Sequence, residues 1–131
     1  MSAPTLHEFQ QQVSELLLRH RSLLDVVTKF SQAGASVNRA VAKSITECGC
    51  IELKAQHRDL SAEENFGQAL RHTAPDKHGE LCENCLDAIR AEMGKNLFYL
   101  SALCNLLDIR MDEVVAKEAQ KCATLGFFNL T

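Results

Sequence analysis

Apolar residues recur at helical spacing along most of the chain. Phe9, Val13, Leu16, Leu17, Leu24, Val27 and Phe30 fall on one broad stripe, which predicts a first helix from Thr5 to about Ala33-Gly34. Thr5 with Glu8 three residues later is a capping-box pattern, so the start of that helix is marked by two side chains. Ser36 is placed to cap a second helix that carries Val37, Val41, Ile45 and Cys48 on one side and reaches about Gln56. Gly49 interrupts it, at a cost of about 1 kcal/mol relative to alanine. Residues 57–79 are irregular and polar, with Pro75 and Gly79 as breakers, and read as a connection or lid. A third helix is predicted from about Glu80 to Leu107, with Cys82, Cys85, Ile89, Glu92, Leu97, Leu100, Leu103 and Leu107 near one stripe. It would be about 42 Å long at 1.5 Å per residue. A fourth covers about Met111 to Thr124, with Val114, Val115, Glu118 and Cys122 at helical offsets. No segment alternates long enough to read as a strand. The pattern predicts an all-α fold, an antiparallel four-helix bundle forming one domain over residues 1–131.

The composition agrees with that class. Of 131 residues, 46% are hydrophobic and 24% charged, the balance of an ordinary globular domain, and no apolar run approaches the roughly 20 residues that cross a bilayer. No membrane partner is expected. Met1-Ser2-Ala3-Pro4-Thr5 lacks the basic start and apolar core of a secretory signal, so the expected location is cytoplasmic. A net charge of −3, with Lys and Arg dispersed, predicts no DNA partner.

A reducing location turns attention to the six cysteines, because disulfides rarely persist there. Four come in two tight pairs, Cys48-Gly49-Cys50 and Cys82-Glu83-Asn84-Cys85. Such spacing serves a soft metal, a redox couple, or plain packing of small buried side chains. Cys82 and Cys85, three apart at the start of a helix, face one side, and the helix dipole favours thiolates there. Cys48 and Cys50 would stand about 200° apart on a regular helix, so both reach one metal only if the chain breaks at Gly49. Joined, the four thiolates would be a tetrahedral Zn²⁺ site. His78 is the substitute ligand should Cys50 point away, while His57 and His72 read as solvated. Cys104 and Cys122 lie in leucine-rich helical sequence and read as core.

A second motif lies further along. Glu92-Met93-Gly94-Lys95-Asn96-Leu97-Phe98-Tyr99-Leu100, then Leu106-Leu107-Asp108-Ile109 and Asp112-Glu113-Val114-Val115, resembles the second half of the MazG-like family of all-α nucleoside triphosphate pyrophosphohydrolases. The resemblance is close from Glu92 to Glu118 and extends in element order from Val37 to Leu125. It implies a four-helix core, often dimeric, in which Glu-Glu-x-x-Glu on one helix and Glu-x-x-Asp on the next bind Mg²⁺ and cleave a nucleotide between its α and β phosphates. Carboxylates three or four apart on a helix point the same way, which suits a hard cation. Glu92 matches the first acid of the second motif, and Lys95 stands where the family keeps Asp. Two alignments exist on the earlier helix, one placing Thr46, Glu47 and Cys50 on the three Glu positions, the other Cys48, Gly49 and Glu52. Either leaves one glutamate of three. The implied acids for Mg²⁺ are therefore Glu47, Glu52 and Glu92, an incomplete set, with Lys95 as a contact for a nucleotide phosphate. Otherwise Glu92 pairs with Lys95 or another basic group across the bundle, Lys95 keeps its head in water, and Phe98 and Tyr99 are core and rim residues. A homodimer is expected from the resemblance and from a third helix longer than a compact monomer of this size covers. The alternative to a pyrophosphohydrolase relative is a non-catalytic zinc-binding interaction or regulatory module built on the two cysteine pairs.

Overall fold

The computed structural model describes residues 2–17, 22–54 and 76–125. The described residues are mostly helical, with one small two-stranded sheet among them. In order come α1 (Leu6–Leu16), α2 (Leu23–Lys43), a π-helical turn (Ser44–Cys48), β1 (Ile51–Leu53), β2 (Lys77–Gly79), α3 (Glu83–Leu106) and α4 (Met111–Leu125). Among the described residues no helix is long and apolar enough to cross a membrane. The chain divides into two compact units, Met1–Val37 with Ala91–Thr131, and Asn38–Arg90.

In the first unit, α1 begins as the sequence predicts. Thr5 Oγ1 accepts from the Glu8 backbone N–H at 3.1 Å, and Glu8 Oε1 accepts from the Thr5 N–H at 2.9 Å. The helix ends at Leu16, not near Gly34. A new helix begins after Ser22, whose hydroxyl accepts from the Asp25 N–H at 3.3 Å and whose carbonyl accepts from Val26. Ser22-Leu23-Leu24-Asp25 is itself a capping pattern, hidden in the sequence by the leucines on either side, which sustain a helical period across it. Ser36 and Gly34 consequently lie inside α2 and end nothing. The core comprises Val13, Leu17, Val26 and Ala102, with Phe9, Phe98, Leu103 and Leu106 packed against it. Phe98 meets Tyr99 edge-on at 5.2 Å between ring centres. Cys104 is buried as expected, but Cys122 is exposed, and so are Leu97 and Leu107 of the expected stripe. The fully buried positions of α3 are instead the small Ser101 and Ala102.

A Schellman motif closes α3. Asp108 takes a left-handed φ of 55°, its N–H reaches Asn105 at 3.4 Å, and the Ile109 N–H reaches the Cys104 carbonyl at 2.9 Å. Gln10, buried on α1, secures this turn. Its Nε2 donates to the Ile109 carbonyl at 2.7 Å, its Oε1 accepts from the Met111 N–H at 2.9 Å, and its own carbonyl accepts from Asn105 at 3.1 Å. One side chain thus satisfies two backbone groups that the helix–helix turn would leave unmet.

The second unit departs most from the sequence reading. Helix α2 does not run to Gln56: it ends at Lys43, passes through the π turn, and becomes β1. β1 and β2 pair antiparallel with Ile51 opposite Gly79, Glu52 opposite His78 and Leu53 opposite Lys77. The Lys54 N–H extends the ladder to the Asp76 carbonyl at 2.8 Å. A three-residue strand is too short to show alternation, so neither was visible as one. Helix α3 starts at Glu83, placing Cys82 just outside it. Most of the predicted connection, with His57, His72 and Pro75, lies outside the described residues.

Replacing Gln10 by Met keeps the apolar stem and removes both side-chain hydrogen bonds, stranding the Ile109 carbonyl and the Met111 N–H. Chemical denaturation is expected to show a loss of about 2–4 kcal/mol. The exposed neighbour change Gln12→Met is expected to shift stability by less than about 0.5 kcal/mol. Equal effects at the two positions would mean that Gln10 does not pin the turn.

Candidate metal centre

Each cysteine pair sits where a helix gives way. The π turn carries an extra residue per hydrogen-bonded ring, and its last bond runs from the Gly49 N–H to the Ser44 carbonyl at 3.0 Å. Ser44 is fully buried, and its hydroxyl donates to the Val41 carbonyl at 2.6 Å, holding the turn from inside. Gly49 then adopts φ 79°, ψ 6°, the left-handed conformation that glycine takes without penalty. This reversal brings Cys50 back toward Cys48, the break that a shared site requires. The Cys50 thiol lies 3.8 Å from the Ser44 carbonyl.

The second pair is placed by the start of α3. Cys82 is the N-cap: its carbonyl accepts from the Leu86 N–H at 2.9 Å, and its sulfur accepts from the Cys85 N–H at 3.4 Å. The sulfur fills the role that a serine or aspartate oxygen usually has. The sheet brings the two pairs together. Gly79, opposite Ile51, has φ 91°, and a Cβ there would overlap the Cys50 carbonyl oxygen, so only glycine lets β2 approach this closely.

All four sulfurs consequently lie within 4.8 Å of one another. Cys48 and Cys82 are 3.7 Å apart, far beyond a disulfide bond. Four thiolates at about 2.3 Å from one Zn²⁺ define a tetrahedron whose edge is about 3.8 Å. The spread is that of ligands around a single ion. Cys48 is exposed and the other three are partly buried.

The sulfurs are electrostatically unequal. The Cys85 N–H, followed by the Cys85 and Cys48 thiols, draws Cys82 down to about 7. Cys85, whose thiol donates to Cys82 and is further desolvated, is pushed up to about 12. Cys48 ends above its ordinary value: the Cys50 N–H and, less strongly, the Cys85 thiol favour its thiolate, but the neighbouring Cys82 and Cys50 thiols with partial desolvation outweigh them. Crowded thiols share protons in this way until a cation replaces them.

Of the other candidates, Glu47 is exposed on the π turn, Glu52 is exposed on β1, and neither is part of the thiol group. His78 is exposed on β2 and likewise stands apart, since Cys50 does point inward. Glu92 forms an ion pair with Lys95 at 3.6 Å, one helical turn away. Among the described residues, the group of metal-capable side chains is the four cysteines. The sequence reading missed Gly79 and Ser44. Gly79 carried a faint signal, a glycine three residues before a cysteine pair; Ser44 carried none, because its burial depends on the π turn.

In metal-free protein, ultraviolet absorbance is expected to show one thiolate forming near pH 7, and Cys82→Ser is expected to abolish that step. Because the folded value lies below the ordinary 9.0, the associated stabilisation is complete above about pH 9 and is lost as pH falls through about 7. All thiols ionising together near pH 9 would contradict the unequal environments. No protein-family model, curated protein or solved structure matches this chain.

Proposed function

We propose that Cys48, Cys50, Cys82 and Cys85 bind one Zn²⁺ as a structural site, and that the protein is a non-catalytic, zinc-dependent helical interaction or regulatory module. The observation that carries this reading is the confinement of all four sulfurs within 4.8 Å. A binuclear or larger iron–sulfur cluster spreads its ligands over several irons, so one sphere of this size suits a mononuclear ion. Soft thiolates favour zinc over magnesium, which takes oxygen ligands. With four protein ligands, a tetrahedral ion has no open position for water or substrate, the arrangement of structural sites.

Energetics give a second reason. Among the described residues of the Asn38–Arg90 unit, the buried apolar side chains are Ile51 and Ile89. So few buried apolar side chains among these residues hold a hairpin and two helix ends only weakly, and small units of this kind are strengthened by disulfides or metal. The four thiols occupy the junction where the π turn, the sheet and the start of α3 meet. A nucleotide role for Glu47, Glu52 and Glu92, implied by the MazG-like resemblance, lacks comparable support: Glu92 is engaged with Lys95, and the other two are exposed acids.

Elemental analysis of purified protein is expected to find about one zinc per chain, with the exposed Cys122 as the thiol that reacts readily in the native protein and the four zinc ligands becoming reactive on chelation. Metal-free protein with all four thiols titrating freely, even after incubation with zinc, would refute the reading. Gly79→Ala introduces the Cβ that collides with the Cys50 carbonyl and strains a left-handed backbone. It is expected to weaken zinc binding about 10–100-fold in a chelator competition, as loss of an outer-shell support does. Unchanged affinity would show that the sheet does not position the thiols.

A further inference from the structure

The geometry points to a redox-controlled site, in which a peroxide oxidises the zinc-bound thiolates to a Cys48–Cys82 disulfide and releases the metal. This inference rests on the zinc reading above and concerns how that site is regulated.

Three features of the cluster carry it. The first is unequal access: Cys48 is exposed while Cys50, Cys82 and Cys85 are partly covered, so a small oxidant in solvent meets Cys48 first. The second is distance. Cys48 and Cys82 already have their sulfurs 3.7 Å apart, close to the separation of about 2.05 Å at which they bond. The third is topology. Cys48 terminates the π turn and Cys82 caps α3, 34 residues later, so their bond reproduces the link that the metal makes between the two segments. A Cys82–Cys85 bond would leave the two segments untied.

The chemistry balances with hydrogen peroxide as the oxidant. The Cys48 thiolate attacks one peroxide oxygen and breaks the O–O bond, giving a sulfenic acid on Cys48 and, with one proton, a first water. The Cys82 sulfur then attacks the Cys48 sulfur, forming the S–S bond and expelling hydroxide, which takes a second proton and leaves as water. Two thiolates lose two electrons and the peroxide gains them. Zinc stays Zn²⁺ throughout. It is left with Cys50 and Cys85 alone, too few ligands for a tight site, and departs. A thiol reductant reverses the bond and restores four ligands.

This arrangement differs from a purely structural zinc site in its readout. Oxidation exchanges one clip for another: the metal is lost while the two cysteine pairs remain tied. Cys104 is buried and Cys122 is exposed on α4, so Cys122 is the thiol that would confuse the experiment.

The test uses full-length Cys122→Ser protein loaded with zinc. One equivalent of hydrogen peroxide is added, released metal is followed with a chromogenic chelator, and disulfides are mapped by peptide mass spectrometry. About one zinc per chain is expected to leave, together with a Cys48–Cys82 disulfide, and a dithiol reductant with added zinc is expected to restore both. Dimedone present during oxidation is expected to mark Cys48. Zinc that stays bound with all thiols reduced overturns the switch and leaves the zinc site standing. Release accompanied by a Cys82–Cys85 bond, or by irreversible sulfur oxides, overturns it as well. A protein that takes up no zinc at all overturns the underlying zinc reading, and with it the switch.

Discussion

The Asn38–Arg90 unit depends on the approach of β2 to Cys50. Gly79 faces the Cys50 carbonyl with no room for a side chain, and this contact fixes the register that sets Ile51 opposite Gly79. From that register the rest follows. Three residues after Gly79 the chain reaches Cys82, whose sulfur caps α3, and one residue before Ile51 stands Cys50, turned back by Gly49. Remove the close approach and two cysteine pairs, 34 residues apart from Cys48 to Cys82, have no reason to meet. The thiol cluster is thus a product of backbone geometry before it is a matter of sulfur chemistry.

The two units are stabilised by different means. The unit containing α1 and α4 has an apolar core around Val13, Leu17, Val26 and Ala102, and it uses one buried amide, Gln10, to satisfy the turn between α3 and α4. Hydrophobic burial supplies its stability, and the hydrogen bonds keep backbone groups from being stranded. The thiol-bearing unit buries little beyond Ile51, Ile89 and the polar Ser44 among its described residues. Its four thiols are also poorly matched without a cation, with Cys82 drawn toward the thiolate while Cys85 is held as a thiol. A divalent ion resolves both difficulties: it supplies binding free energy to a unit whose described residues bury few apolar side chains, and it replaces protons that the sulfurs otherwise contend for.

What the sequence made legible follows from how local each signal is. The Thr5–Glu8 cap, the start of α4 at Met111 and the pairing of the cysteines depend on residues within four positions of each other, and all stand in the structure. The requirement that Gly49 break the helix was also readable, because two cysteines flanking one residue cannot share a face of a regular helix. The strands, the π turn and the role of Gly79 were not, since each depends on a partner supplied by a distant segment. Ser22 was readable in principle as a cap, yet the leucines on both sides sustained a helical period across it and hid the boundary. The acids were legible as residues, while their surroundings were not. Lys95, one helical turn from Glu92, gives it an ion pair, and Glu47 and Glu52 lie in exposed positions that neighbouring sequence did not reveal.

The central claim is that one zinc ion is held by four sulfurs and nothing else. X-ray absorption at the zinc edge of the metal-loaded protein tests it most directly. A first shell of four sulfur scatterers at about 2.3 Å is the predicted result. A shell containing nitrogen or oxygen, or fewer than four sulfurs, would contradict it, because at least one of Cys48, Cys50, Cys82 and Cys85 would then stand outside the site.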